Sequence, residues 1–123
     1  MAATDPRARP AYLRELAGFA AGTRGFGMPR YPCVYMLASR RNGTLYLGVT
    51  SHPIKRVWQH KNDLVESFTK RYGVHSLVWF ESHATMDAAI AREKAIKRWK
   101  RAWKLRLVEA SNPEWRDLYD DLV

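Results

Sequence analysis

Apolar positions change their period along the chain, and those changes divide it into elements. After Tyr31, the run Cys33–Ala38 (CVYMLA) is continuously apolar, which predicts a strand. Leu45–Thr50 (LYLGVT) predicts a second strand, and Asn42-Gly43 between the two is a strong hairpin signal because both residues tolerate the left-handed backbone of a tight turn. A two-residue turn at Asn42-Gly43 pairs Arg41 with Thr44, Tyr35 with Thr50 and Tyr46 with Ser39. Strand side chains alternate, so Tyr35 and Tyr46 share a face in that register, and a slip of one residue would separate them. Ile54, Val57, Trp58, Leu64, Val65 and Phe68 then recur at helical spacing, predicting a helix over Pro53–Ser67 with Pro53 in its first turn and Ser51 or His52 as cap. Lys70-Arg71-Tyr72-Gly73 reads as a basic loop and Ser76–Glu81 (SLVWFE) as a third strand. Thr85, followed by Asp87, caps a long helix over Met86–Val108, with a break allowed around Lys100–Ala102. Asn112-Pro113 marks a turn before a short acidic end, Glu114–Val123.

The order strand, strand, helix, strand, helix predicts an α+β fold, a small three-stranded antiparallel sheet flanked by helices. Residues 1–30 show little periodicity and read as a flexible N-terminal extension, with one short helix around Ala11–Ala21. The domain proper then covers 31–109, and 110–123 is an acidic C-terminal segment packing on it. At 123 residues there is room for one such domain and one modest core.

Charge narrows the partners. The formal net charge is +9, which favours polyanions, nucleic acid ahead of an anionic membrane surface. No run of ~18 apolar residues suggests a membrane span, nor does the N-terminus carry the compact apolar segment of a secretory signal, so a cytoplasmic location is expected. The single cysteine, Cys33, rules out an intrachain disulfide and a cysteine-rich metal site. Its apolar neighbours suggest a buried, inert thiol. Eight cations fall between Arg92 and Arg106 against one acid, Glu93. Lys97, Arg98, Lys100 and Arg101 from that stretch, with Lys70 and Arg71 from the basic loop, are the candidate phosphate-tracking residues. Trp99 and Trp103, interleaved with them, read as core anchors rather than stacking platforms. Glu109–Val123 carries five acids and one arginine, so it either turns away from nucleic acid or packs back on the basic helix.

Five side chains could carry chemistry. Tyr35 and Tyr46 lie on the hairpin, where tyrosine ordinarily serves packing. Arg56 and His60 are four apart and project from one helix face, a fork of donors for phosphate beside a group that exchanges a proton near neutral pH. Glu93 stands between Ala89 and Ile96 on an apolar stripe, where a carboxylate needs a partner. Lys97, one turn on, would make it an ordinary ion pair. Pointing inward instead, it would suit a hard cation such as Mg²⁺ that completes its shell with water and phosphate oxygens.

Taken in order, these positions resemble the GIY-YIG nuclease family. Its first motif corresponds to Cys33-Val34-Tyr35 and its second to Tyr46-Leu47-Gly48, with ten residues between them. Arg56-x3-His60 and Glu93 match the remaining functional positions, and SFTKRYGVHSLVWFE, REKAIKRWKRAWK and NPEWRDLY look like the small stand-alone bacterial branch. The leading Gly-Ile of the first motif is replaced by Cys33-Val34, and the Ile of the second by Leu47. The resemblance implies a metal-dependent endonuclease hydrolysing phosphodiester bonds of nucleic acid, DNA ahead of RNA, in repair or processing. In that reading Glu93 holds Mg²⁺ or Mn²⁺, and Tyr35, or Tyr46 with His60, activates water. Arg56 neutralises phosphate charge, and Gly48 permits a close approach. A protein partner or homodimer would supply any specificity. The reading from another class is a non-catalytic DNA- or RNA-binding module that keeps the fold, and the third is a basic structural protein. Joint retention of Arg56, His60 and Glu93 favours the enzyme.

Overall fold

Why Cys33–Ala38 lacks alternation becomes plain in the structure, a computed structural model that describes residues 31–64 and 68–122. This strand, β1, lies in the middle of a three-stranded antiparallel sheet of order β2-β1-β3, with β2 over Leu45–Thr50 and β3 over Ser76–Ser82. Every residue of β1 is buried, because both of its faces are covered. One face, carrying Cys33, Tyr35 and Leu37, packs Ile54 and Val57 of helix α1 (Pro53–Lys61) together with Val74, Leu77 and Leu122. The other, carrying Val34, Met36 and Ala38, packs Ala89 and Ile96 of α3 (Met86–Lys97) and Val108 of α4 (Arg101–Ser111). The two short helices are α2 (Phe68–Tyr72) and α5 (Tyr119–Leu122). Among the described residues no helix is long and apolar enough to cross a membrane. The extension over residues 1–30, its helix around Ala11–Ala21, and Val65–Ser67 of the predicted first helix lie outside the described residues.

The hairpin closes one residue earlier than its Asn-Gly pair suggests. Arg41 and Asn42 are the central turn residues: Gly43 N–H donates to the Arg40 carbonyl at 2.9 Å, and Ser39 N–H to the Thr44 carbonyl at 3.0 Å. Asn42 takes the left-handed conformation, φ 55°. A contact from far along the chain fixes this turn, since the Arg101 guanidinium donates to the carbonyls of Asn42 and Gly43 at 2.8 and 2.6 Å. Tyr35 therefore faces Gly48 rather than Thr50, and Tyr46 faces Leu37 rather than Ser39. Moving the turn by one residue shifts the ladder by two, so both tyrosines stay on one face.

The first helix is shorter than its apolar stripe. It ends at Lys61, where Asn62 Nδ2 bonds the Trp58 carbonyl at 2.8 Å and Asp63 turns left-handed at φ 54°. Ile54 and Val57 are buried as the stripe requires, but Trp58, Leu64 and Phe68 are exposed. The basic loop at Lys70–Gly73 is mostly helix α2, which stops at Gly73 in the left-handed conformation that glycine favours, φ 63°. The long helix breaks over Arg98–Lys100, letting α3 cover β1 and β2 while α4 covers β3. Thr85 caps α3 through a 3.1 Å bond from Ala88 N–H.

The segment after α4 covers the free edge of β3. Leu77 N–H donates to Asp117 Oδ1 at 3.1 Å and Leu118 N–H to the Leu77 carbonyl at 2.7 Å, which occupies edge groups that would otherwise invite another strand. Buried Asn112 anchors the crossing by donating to the Val78 and Arg116 carbonyls and accepting from Arg116 N–H. Lys61 pairs with Asp117, tying the segment to α1.

Candidate active site

Antiparallel pairing places Tyr35 directly against Gly48, and the absence of a side chain there is what gives the phenol its place. A Cβ on Gly48 would lie 2.5 Å from both Cζ and Oη of Tyr35 and 2.9 Å from Cε1. From this seat the Tyr35 hydroxyl reaches His60 Nε2, 3.0 Å away on α1. The other ring nitrogen, Nδ1, is 2.8 Å from Thr69 Oγ1 on α2. Tyr35, His60 and Thr69 are each only 1% exposed, so the imidazole is held at both nitrogens inside the protein. Tyr46 completes the cluster from β2. Its ring is 6.2 Å from that of Tyr35 and 5.2 Å from that of His60, and it remains partly exposed.

Burial sets the protonation of this group. Loss of water pushes the Tyr35 phenol well above the usual tyrosine range, the neighbouring Tyr46 adding to the rise and the charge of Arg56 opposing it. Burial likewise lowers His60 to about 4, with Arg56 and His75 contributing repulsion. At neutral pH the centre is thus a protonated phenol hydrogen-bonded to a neutral imidazole. An unfolded histidine titrates near 6.5, so between about pH 6.5 and 4 the unfolded chain binds more protons than the folded one, and stability falls on acidification. The lowering of His60 from 6.5 to about 4 corresponds to roughly 3 kcal/mol of stability lost across this window. His60→Gln is expected to lower stability at pH 7 but to flatten this acid limb. An acid limb as steep in the variant as in the wild type would assign it to other groups.

Arg56 stands one turn before His60 on α1, partly buried. With Val49, Thr50, His52, Lys55 and Gln59 it lines an open groove of about 310 Å³. Val49 and Thr50 bring this groove to β2, an edge strand of the sheet, and Val49 also packs against the core cluster that includes Ala89 and Ile96 of α3.

Glu93 is on α3, across the sheet from the tyrosines, between buried Ala89 and Ile96 on the stripe facing β1 and β2. Its side chain is 12% exposed, and Lys97 Nζ lies 3.5 Å from Oε1. That ion pair is loose: Oε1 is buried and receives no hydrogen bond. An orphaned, inward carboxylate oxygen is costly to maintain and is what a cation would relieve. Among the described residues no three His, Cys, Asp or Glu side chains cluster to hold an ion by themselves. One carboxylate suits a hard cation that draws its other ligands from water and phosphate.

The structure therefore brings Tyr35, Tyr46, Arg56, His60 and Gly48 together on one side of β2 and leaves Glu93 on the other. Sequence reasoning missed Thr69. A threonine in a short polar stretch carries no signal of its own, and only the tertiary approach of α2 to His60 gives it a role. Among the cations, Lys70, Arg71, Lys97, Arg98, Lys100 and Arg101 are all exposed, but Arg101 is engaged in holding the hairpin turn. Trp99 is partly buried against the second core face, while Trp103, edge-on to it at 6.2 Å, is half exposed. Cys33 is fully buried, its thiol pushed up to about 12 by desolvation, and is inert at neutral pH.

Comparison with known proteins identifies the family. The GIY-YIG catalytic domain family matches residues 31–106. A UPF0213 protein of Aeromonas salmonicida (strain A449) is 32% identical over 75 residues, 61% of this chain and 54% of that protein. The match thus spans about half the length of that curated relative. A UPF0213 protein of Bacillus halodurans, solved by solution NMR, aligns over 70% of this chain and 90% of its own at 23% identity and a TM-score of 0.46. With the family match covering more than half of its length, the chain belongs to the GIY-YIG family, a superfamily of nucleases.

Proposed function

We propose that the protein is a metal-dependent endonuclease hydrolysing phosphodiester bonds of nucleic acid, DNA before RNA, in repair or processing. The observation that carries this reading is the buried Oε1 of Glu93, an inward carboxylate oxygen that receives no hydrogen bond, in a chain whose open groove beside β2 offers Arg56. Mg²⁺ or Mn²⁺ held by Glu93 would supply Lewis-acid polarisation of the phosphate and stabilisation of the leaving oxygen.

The chain's own residues divide the rest. Arg56 places its guanidinium against phosphate oxygens and neutralises charge that grows in the transition state. Tyr46, partly exposed where Tyr35 is enclosed, is the tyrosine that meets attacking water in this reading. Tyr35 is enclosed and strongly protonated, so it acts as a positioning link: its hydroxyl is held at His60 Nε2, whose Nδ1 is steadied by Thr69, and its ring backs that of Tyr46. Gly48 keeps the space this link requires.

A binding module would need the cations but not an inward carboxylate, and Arg56 separates the two readings. Arg56→Ala is expected to slow cleavage at saturating nucleic acid by at least about hundredfold. Affinity measured in EDTA should change by less than about threefold. Equal losses would make Arg56 a binding residue only, and salt-sensitive binding by a wild type that fails to cleave in any divalent metal would favour the binding module.

A further inference from the structure

Beyond the tyrosine cluster, a series of rings runs from Tyr46 out to the surface. Tyr46 stacks with Phe68, centroids 6.4 Å apart and planes at 27°, and Phe68 meets Tyr72 at 4.6 Å. The Arg71 guanidinium lies 5.5 Å over the Tyr72 ring. Phe68 is 45% exposed and Tyr72 49%. The periodicity of the sequence assigns Phe68 to a core stripe, yet the fold places it outside. Single exposed aromatics are unremarkable, but contiguous rings that begin at the candidate active site and carry a cation at their far end are a different feature.

We propose that Tyr46, Phe68 and Tyr72 form a stacking platform for unpaired bases of a single-stranded segment, with Arg71 serving its phosphate backbone. The proposal rests on the nuclease reading and deepens it, since it makes the substrate a nucleic acid with unpaired nucleotides beside the scissile bond. Charge selects this occupant. An apolar ring surface alone would suit a protein partner, but here it adjoins a guanidinium on a chain of net charge +9, which favours a polyanion. Duplex DNA hides its base faces, whereas an unpaired strand offers both a π-face for each ring and a phosphate for each cation. Continuity with Tyr46 sets the direction: unpaired bases follow the ladder, and the backbone enters the groove at Arg56.

The test is fluorescence anisotropy in EDTA, with the full chain and labelled oligothymidylate, oligouridylate and a duplex of equal length. Tyr72→Ala is expected to weaken single-strand binding about tenfold, and Tyr72→Phe, which keeps the ring, by less than about twofold. Duplex affinity should hold within about twofold for both variants. Loss on oligothymidylate alone or on oligouridylate alone supports the platform and names DNA or RNA as its ligand. Equal loss on single strand and duplex would overturn the proposal, because the rings would then not be reading base faces. Unchanged affinity on every ligand would also overturn it and assign the ladder to a protein partner or to residues 1–30 of this chain. Cleavage plays no part in the measurement, so a platform that binds in a protein that never cuts would sink the nuclease reading and leave this one standing.

Discussion

Gly48→Ala is expected to lower the melting temperature by ~10 °C and to reduce cleavage well beyond what lost folded protein explains. The added methyl would sit 2.5 Å from Cζ and Oη of Tyr35, far inside van der Waals contact. Tyr35 cannot swing clear, since its ring is enclosed and its hydroxyl engages His60 at 3.0 Å. Either the ring gives up that hydrogen bond or β2 moves away from β1. Overpacking of this kind costs ~2 kcal/mol, and each kcal/mol lowers the midpoint of a domain this size by about 4–8 °C. Adding Tyr35→Leu to Gly48→Ala removes the clashing atoms, so the double variant should recover part of the stability and none of the activity. The interaction is measured by a double-mutant cycle of thermal unfolding. Additive effects of the two substitutions would show that the close packing of Gly48 on Tyr35 is not there.

How much of this was legible beforehand depends on whether a feature is local. The β1 strand, the Pro53 helix start and the Thr85 cap are written in neighbouring residues and appear where those residues place them. The shared face of Tyr35 and Tyr46 also follows from the sequence, because parity survives a turn displaced by one residue. The displacement itself was hidden, since it answers to Arg101, some sixty positions away. Periodicity also failed at Trp58, Leu64 and Phe68. Helical spacing registers that apolar residues recur, not whether a partner surface exists to cover them, and past Lys61 the chain turns at Asp63. Thr69 and the burial of His60 depend on how α2 docks, which no local pattern records. For Glu93 the sequence left two readings, an ion pair with Lys97 or an inward ligand. The structure shows a carboxylate with one foot in each: Lys97 is near, but the buried oxygen has no hydrogen bond.

That duality gives Glu93→Gln the largest expected effect on function. The amide keeps the volume and the packing between Ala89 and Ile96 but loses the charge that would attract a divalent cation. Metal-dependent cleavage should drop by at least ~10³-fold, as when a group that stabilises charge in the transition state is lost. Folding should change little, because the exposed Lys97 released from the pair is solvated at small cost. Nucleic-acid affinity in EDTA should be preserved, since the exposed cations are untouched. Binding that weakened with cleavage would mean that Glu93 shapes the interface and does not hold metal.

Nicking of supercoiled plasmid in Mg²⁺ and in Mn²⁺, comparing wild type and Glu93→Gln purified side by side, tests this most directly. The expected result is cleavage by the wild type, abolished by EDTA and absent in the variant. Equal cleavage by both proteins would overturn this role of Glu93, since the orphaned carboxylate would then have no part in the chemistry.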